Sequence, residues 1–368
     1  MIRVGTPKTS HIHRSFHTMT AIYQAAPLDL GPSINTRLLE FKSYNTTISV
    51  SLYVTTLESA PSYTAISYVW GDSSPTKQIL LDGQPFTVRQ NLWDLLNQLR
   101  FTGFDGYFWV DALSIDQTSN SEKNHQVAIM GSIYTRAMKT IAWLGNANEK
   151  VAENIHVLHE WLEKRESDRF ESYDVRDMLR QENFYIAGFK YILSHPYWTR
   201  TWILQEYILS SDVEFWCGDE VLRAAGLKDE ADDWVDTVPN IYGTGAQTSA
   251  LTIIVHGAAT KVERYTLAWL LNLSSDSACV DPRDRIYALL SLMPPQELEL
   301  WDITPDYARS TQDLFEHLCS VFQDTDKKVG RWVWTLEEFK KRLRGILLLD
   351  AVEEDGQGKA RVSGVEKI

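Results

Sequence analysis

The sequence predicts an α/β fold, built on a mostly parallel sheet flanked by helices and followed by a helical C-terminal extension. The first observation is a set of short apolar runs that indicate buried strands, at residues 64–70, 107–111, 140–144 and 213–217. The second is that stretches with helical periodicity lie between these runs, which is typical of parallel βαβ units. The third is that the pattern after residue 220 is mainly helical.

The first hundred residues predict a strand, a hairpin and a helix in that order. Residues Tyr44–Thr55 alternate in polarity and are rich in β-branched side chains, as in a strand. Asp82-Gly83 predicts a hairpin turn, because these residue types adopt the positive φ angles that a tight turn needs. Asn91 is a candidate N-cap for the next helix. Four leucines at helical spacing form one face of that helix: Leu92, Leu95, Leu96 and Leu99.

Capping signals predict three further helix starts. Ser119 with Glu122 three residues later has the spacing of a capping box. Pro196 suits the first turn of a helix that would run to about Ser210. The segment 281–284 places an acid, a proline and a second acid where a helix start favours them. Beyond residue 220 the predicted helices cover residues 245–257, 262–273, 283–293, 311–323 and 335–349.

Composition and charge narrow the class of protein. The chain has 368 residues, 44% hydrophobic and 23% charged, which indicates a globular domain with a substantial core. A net charge of −13 without a Lys/Arg stripe argues against nucleic-acid binding. Three widely spaced cysteines fit a reducing compartment and exclude a disulfide scaffold. No apolar run approaches the roughly 18 residues of a membrane span, so we expect a cytoplasmic protein.

Five short sequence segments, which occur in a fixed order, resemble those of a known family. They are Ala65–Asp72 (AISYVWGD), Trp109–Gln117 (WVDALSIDQ), Ile133–Ala137 (IYTRA), Ile141–Gly145 (IAWLG) and Trp198–Glu206 (WTRTWILQE). Together with residues 37–40 they resemble the fungal heterokaryon-incompatibility (HET) domain over residues 36–220. Residues 281–290 resemble a segment that often follows this domain. Ser114 stands where the family often has cysteine and Asp116 where it often has asparagine, which disturbs any argument that needs a thiol or an amide there.

The resemblance sets the expected domain organisation. Residues 1–35 would be a loose leader, residues 36–220 the HET domain, residues 221–350 a helical extension packed on it, and residues 351–368 a flexible tail. Residues 1–28 contain no acid, which leaves open a transit peptide or a true start at Met19.

HET domains are in turn distantly similar to TIR domains, which implies a TIR- or flavodoxin-like core. The segment 66–68 resembles the first TIR strand, 109–111 the second and 140–144 the third. Trp202 and Glu206 repeat the Trp-x-x-x-Glu spacing of TIR domains that cleave NAD. The resemblance therefore nominates Glu206 as a catalytic residue and NAD as a substrate, with no cofactor and no metal required.

The residues around Glu206 admit two interpretations. Trp198, Trp202 and Glu206 are spaced four apart and would share one face of a continuous helix. A carboxylate beside two indoles could hold the cationic nicotinamide and stabilise an oxocarbenium-like ribose. Alternatively, Glu206 pairs with Arg200 or Arg136 as a buried buttress.

Acids near strand ends are the remaining ligand-binding candidates. Asp72 and Asp111 end neighbouring predicted strands or lie just past them, where open α/β sheets bind ligands, and Asp116 follows closely. The alternative for Asp72 and for Asp111 is capping of the following turn or helix. Arg200 is a candidate for binding dinucleotide phosphates, with a salt bridge as its alternative.

Two functions from different classes follow. One is an effector of fungal non-self recognition and programmed cell death signalling, with TIR-like NAD cleavage as its output. The other is a non-enzymatic module in the same signalling, which associates with itself or with other HET or death-signalling proteins. The absence of a P-loop and of a dinucleotide fingerprint argues against a metabolic enzyme on a flavodoxin-like sheet.

Overall fold

A computed structural model of the chain describes residues 21–31, 33–43, 47–166, 175–237, 250, 253–254, 266–274, 277–329 and 334–349. It has an α/β architecture around one nine-stranded sheet. The strands are β1 (Asn35–Ser43), β2 (Ser49–Thr56), β3 (Tyr63–Tyr68), β4 (Thr76–Leu81), β5 (Gln84–Arg89), β6 (Tyr107–Trp109), β7 (Lys139–Trp143), β8 (Val213–Cys217) and β9 (Glu220–Arg223). Their order across the sheet is β5-β4-β2-β1-β6-β3-β7-β8-β9.

The sheet is mixed, so the prediction of a mostly parallel sheet is wrong for the sheet as a whole. Strands β6, β3, β7 and β8 lie side by side in parallel, and β2 also pairs with β4 in parallel. The pairs β1–β2, β1–β6, β4–β5 and β8–β9 are antiparallel. Two of these antiparallel pairs, β4–β5 and β8–β9, are joined by two-residue turns, which tight hairpins require. A TIR- or flavodoxin-like core is not supported by this arrangement.

Helices pack with the sheet and are the main regular elements in the described part of the chain after β9. They are α1 (Gln90–Phe101), α2 (Asp111–Ser114), α3 (Asn120–Arg136), α4 (Glu149–Glu166), α5 (Val175–Ser194), α6 (Ile203–Ile208), α7 (Ala224–Thr237), α8 (Leu267–Leu273), α9 (Asp284–Tyr287), α10 (Pro295–Trp301), α11 (Thr311–Val329) and α12 (Leu336–Ile346). Short 3₁₀ helices lie at Pro196–Thr199 and Leu290–Leu292. Among the described helices, none combines the length and the apolar composition that crossing a membrane requires.

Local turn and capping chemistry is confirmed at two of the predicted positions. Asp82 and Gly83 have φ angles of 48° and 75° between the antiparallel strands β4 and β5. Ser119 caps α3 by accepting a hydrogen bond from the Glu122 amide at 3.3 Å. Asn91 does not cap α1, which begins at Gln90. Its side chain instead joins two strand ends, because Nδ2 donates to the Val69 carbonyl and Oδ1 accepts from the Trp143 indole at 2.9 Å.

The helix predicted from Pro196 to about Ser210 is interrupted. A 3₁₀ turn covers Pro196–Thr199, Arg200 is extended with φ −77° and ψ 133°, and α6 begins only at Ile203. Arg200 forms an isolated parallel β-bridge with Ala278. The interruption thus comes from a contact 78 residues along the chain, which no local pattern could indicate.

The ends of the chain are described only in part. Residues 1–20 and 350–368 lie outside the described residues, and so do most of the helix predicted at 245–257 and the start of that at 262–273. Residues 21–31 of the expected loose leader are described. Ile22 and Tyr23 are buried there, and the Tyr23 hydroxyl donates to the Leu113 carbonyl at 3.1 Å.

One hydrophobic core joins the sheet to the helices that follow it. Phe215 of β8, Leu204 of α6, Ile286 of α9 and Leu314 of α11 belong to the same buried cluster. The approach is close, because a Cβ added to Gly131 of α3 would overlap the Ser291 side chain. The described residues beyond β9 therefore bury their apolar faces against the sheet domain.

Candidate functional site

Charged side chains meet at the carboxyl ends of the central parallel strands. Asp111 follows β6, and Glu206 lies on α6 where it reaches Ser67 near the end of β3. Arg200 lies between the 3₁₀ turn and α6. We refer to Ser67, Asp111, Arg200 and Glu206 together as the strand-end cluster.

The Arg200–Glu206 pair is the centre of this cluster. Nη1 and Nη2 of Arg200 donate to Oε2 and Oε1 of Glu206 at 2.8 and 2.9 Å. Such a bidentate pair is strong and geometrically specific. It requires the interruption at Arg200, because residues six apart in a continuous α-helix project from different faces. Glu206 therefore forms its buried ion pair with Arg200. Arg136 lies at the surface, where its Nη2 is 3.8 Å from Oε1 of Glu58.

The Glu206 carboxylate is buried, and both of its oxygens accept hydrogen bonds. Its side chain is only 2% exposed. Oε2 accepts a short hydrogen bond from the Ser67 hydroxyl, and that hydroxyl lies 2.8 Å from the hydroxyl of Tyr197. Ser67 and Tyr197 are both buried. The carboxylate of Glu206 is thus buried within the protein and does not face an open cleft.

Arg200 stays charged in this setting. Burial alone would lower the pKa of its guanidinium, but the adjacent Glu206 carboxylate outweighs burial and raises that pKa, with a further contribution from Asp111. The Arg200 side chain remains 16% exposed, whereas that of Glu206 is 2% exposed.

Asp111 is half-buried and neighbours the pair. Its Oδ2 accepts from the Trp70 indole at 2.9 Å, and its Oδ1 accepts from the Ala112 amide at 2.7 Å. Burial raises the pKa of Asp111 to about 6; the charge of Arg200 opposes the rise and that of Glu206 adds to it. A carboxyl group that titrates near neutrality beside a cation is a common feature of functional sites, and it also occurs in structural networks.

Asp72 and Asp116 are not part of the strand-end cluster. Asp72 is exposed in the loop after β3. Asp116 is buried and caps a turn, since its Oδ1 accepts from the Thr118 amide at 2.9 Å and from the Thr118 hydroxyl at 2.6 Å. Asp116 therefore stabilises the turn that follows it.

Trp198 and Trp202 do not flank Glu206 on one helical face, because the chain breaks between them. Trp198 is 3% exposed, packs against Tyr207 and Phe215, and donates from its indole to the Ile192 carbonyl at 2.7 Å. Trp202 is half-buried, and its indole contacts the carboxylate of Asp284. Neither indole is among the groups that hydrogen-bond the Glu206 carboxylate in the described part of the chain.

A second buried pair was not predicted. Both Nη atoms of Arg37 in β1 donate to the Glu122 carboxylate, with Nη2 at 3.0 Å from Oε2. Nη1 of Arg37 also donates to the Ser114 carbonyl at 3.1 Å. Glu122 therefore does more than cap α3, and its Oε1 also accepts from the Asp116 amide. The hydroxyl of Ser114 accepts from the Val110 amide at 3.3 Å, which does not require a thiol at this position.

The sequence analysis did not identify Ser67 and Tyr197, whose hydroxyls form a hydrogen-bonded chain with the Glu206 carboxylate. Ser67 is a polar residue in a strand whose six positions are all buried. A small hydroxyl buried in such a strand needs a hydrogen-bond partner, and this need was the signal in the sequence. Within the described residues, no group of three or more His, Cys, Asp and Glu side chains is arranged to hold a metal ion.

Comparison with known proteins identifies the domain. Residues 63–206 match the family model of the heterokaryon incompatibility protein (HET). The chain is similar to heterokaryon incompatibility protein 6, OR allele, of Neurospora crassa, with 26% identity over 86% of this chain and 54% of that protein. The chain thus spans about half the length of the curated relative it matches. No solved structure matches the chain.

Proposed function

Because residues 63–206 are a HET domain, we propose that this chain is an effector of fungal heterokaryon incompatibility, acting in non-self recognition and programmed cell death signalling. Similarity to an incompatibility protein along 86% of the chain supports this role. We place the protein in the cytoplasm, where its partners would be other HET or death-signalling proteins or further copies of itself.

The state of Glu206 favours a non-enzymatic module as the mode of action. Both carboxylate oxygens already accept hydrogen bonds from Arg200, and Oε2 also accepts one from Ser67. With 2% exposure, the side chain offers a ligand little surface. In this proposal the pair holds the strand ends in one conformation, and signalling proceeds through the surface that this conformation presents.

NAD cleavage is a second candidate, and one observation favours it. Asp111 and Arg200 lie together at the carboxyl ends of parallel strands, where α/β sheets bind ligands, and both retain some exposure. Cleavage would require Arg200 to leave Glu206, so that the carboxylate could face the ribose and the guanidinium a phosphate. No metal or cofactor takes part in this scheme.

Incubation of the concentrated protein with NAD, followed by measurement of nicotinamide, separates the two modes. Glu206→Gln and Glu299→Ala are compared with the unchanged chain, because Glu299 is an exposed carboxylate away from the cluster. Nicotinamide release that Glu206→Gln abolishes and Glu299→Ala retains would establish cleavage. Cell death on expression in a fungal host without nicotinamide release would establish the module.

Asp111→Ala is expected to abolish cell death in either mode. The carboxylate either contacts a ligand or holds Trp70 and the start of α2 in place. Expression of the variant in the fungal host, with circular dichroism to verify folding, measures the effect. A folded Asp111→Ala protein that still kills would remove Asp111 from the functional site.

A further inference from the structure

The backbone around Arg200 is held by residues that follow the HET domain. The Ala278 amide donates to the Thr199 carbonyl at 2.5 Å, and the Thr201 amide donates to the Ala278 carbonyl at 3.3 Å. These bonds bracket Arg200 and form its β-bridge with Ala278. The extended conformation that directs Arg200 back toward Glu206 is thus formed against a segment outside residues 63–206.

Asp284 provides a second attachment through its side chain. It contacts the indole of Trp202, the residue before α6, and it accepts a hydrogen bond from the hydroxyl of Tyr307 at 2.6 Å. Trp202 lies two residues after Arg200 and four before Glu206. The carboxylate is therefore in contact with the short connection between the two members of the ion pair.

Tyr307 is itself anchored to the sheet domain. Its amide donates to the Asn124 side chain at 2.9 Å, and the Lys123 ammonium lies 4.2 Å from the centre of its ring. Lys123 and Asn124 belong to α3 of the HET domain. A contact route therefore runs from α3 through Tyr307 and Asp284 to Trp202. A third contact, from the Gln205 side chain to the Tyr287 carbonyl at 3.2 Å, ties α6 to the same segment.

We propose that Asp284 is a positioning residue for the strand-end cluster: by holding Trp202, it keeps residues 199–206 in the conformation in which Arg200 reaches Glu206. The unit that acts in incompatibility then comprises the HET domain together with residues 278–307. The proposal rests on the proposed function only for its biological readout, because the positioning itself is a structural property that is measurable in the purified chain.

Hydrogen exchange of the full chain, followed by mass spectrometry, tests the positioning. In Asp284→Ala we expect amides of residues 199–206 to exchange about tenfold faster, the change expected from loss of a hydrogen bond to a charged group. Amides of β3 should keep their rates. Asp284→Asn retains one acceptor oxygen and should give an intermediate rate, and Glu299→Ala should match the unchanged chain. A folded Asp284→Ala protein with unchanged exchange at 199–206 would overturn the proposal.

Tyr307→Phe covers the case in which Asp284→Ala fails to fold. It removes the hydroxyl that Asp284 accepts from and leaves the ring on Lys123. Faster exchange confined to residues 199–206 and to the segment around Ala278 supports the proposal, and unchanged exchange there contradicts it.

The cell-death assay separates failure of this proposal from failure of the proposed function. If Asp284→Ala alters exchange at 199–206 and retains killing, positioning stands and the cluster is not needed for function. If Glu206→Gln abolishes killing and Asp284→Ala changes neither exchange nor killing, the function stands and the positioning role of Asp284 is refuted.

Discussion

Two buried, bidentate arginine–glutamate pairs lie within the described residues, and they differ in what else holds the arginine. Besides Glu122, the Arg37 guanidinium donates from Nε to the Ala26 carbonyl at 2.7 Å and from Nη1 to the Ser114 carbonyl, and the Arg37 side chain is 1% exposed. Among the described residues, the Arg200 guanidinium donates hydrogen bonds to Glu206 alone, and the Arg200 side chain is 16% exposed. A buried ion pair alone therefore does not tell a structural arginine from an arginine of a candidate site. The two arginines differ instead in their further hydrogen bonds and in the exposure of their side chains.

The Arg37 pair binds together parts of the fold that lie far apart in the chain. It connects the N-terminal segment, β1, the end of α2 and the start of α3. The Arg200 pair connects residues that are only six positions apart. The backbone on either side of Arg200 is hydrogen-bonded to Ala278, which lies beyond the HET domain. We therefore expect the first pair to determine global stability and the second to determine local conformation.

Arg37→Met should give the largest loss of stability. It leaves the Glu122 carboxylate buried without its cation, which typically costs about 3–5 kcal/mol in free energy of unfolding. Urea denaturation followed by far-UV circular dichroism measures the loss. Arg136→Ala is the control, because its contact with Glu58 is exposed and should contribute at most about 1 kcal/mol. Equal losses in the two variants would refute the structural role of the Arg37 pair.

Gly131→Ala should follow, through displacement of the helices after β9. The added methyl group overlaps Ser291, and overpacking of this kind costs about 1–3 kcal/mol. If those helices position Arg200, exchange at 199–206 should rise in this variant while exchange around Arg37 stays unchanged. Gly345→Ala is the control, since a Cβ there meets open space on α12 and should be neutral or stabilising. If Gly131→Ala raised amide exchange around Arg37 as much as at residues 199–206, the two ion pairs would not differ in their dependence on the helices after β9.

Glu206→Gln should destabilise the protein less than Arg37→Met does. The neutral amide weakens the bonds from Arg200 and Ser67, and the partial exposure of Arg200 allows water to compensate, so we expect about 1–3 kcal/mol. Thermal unfolding of the variant beside Arg37→Met gives the ranking. Unchanged stability together with unchanged cell death would defeat both the buttress and the catalytic interpretations of Glu206.

The smallest expected effect is a pH dependence specific to Asp111. Its folded-state pKa of about 6 lies above the ordinary value of 3.8, so the folded state binds the proton more readily than the unfolded state. Burial of the charged form therefore costs stability above pH about 6, and that cost is relieved as pH falls toward about 4. Relative to Asp111→Asn, the unchanged chain should gain about 1 kcal/mol between pH about 7 and about 5. Parallel pH profiles of the two proteins would contradict the raised pKa.

The sequence located the parallel centre of the sheet, strand β2 and the β4–β5 hairpin, and it missed β1 and β9. Residues 64–68 and 140–143 are runs without charged residues, as expected of parallel strands covered by helices. Strand β1 mixes polar, charged and apolar residues, and the burial of Arg37 depends on Glu122, which lies 85 positions further along. The place of β1 beside the parallel centre was thus determined by long-range partners.

The site was predictable to a similar extent. Asp111 was a candidate from the sequence because it lies at the end of a predicted strand, where open α/β sheets bind ligands. The expected common face of Trp198, Trp202 and Glu206 assumed a continuous helix, which the bridge to Ala278 interrupts. No periodicity in residues 196–210 reports on a partner near residue 278, so the geometry around Glu206 required the tertiary structure.

The bridge at Ala278 consists of main-chain atoms, and this has a consequence for exchanging segments between related chains. Nearly any residue at position 278 can supply the same amide and carbonyl, and proline is the exception because it lacks the N–H that Thr199 accepts. The contact between Trp202 and Asp284, in contrast, depends on side-chain identity. A chimera joined just after Glu206 would therefore retain the bridge with almost any donor sequence, whereas it would retain the indole–carboxylate contact only if the donor also supplies an acid at position 284.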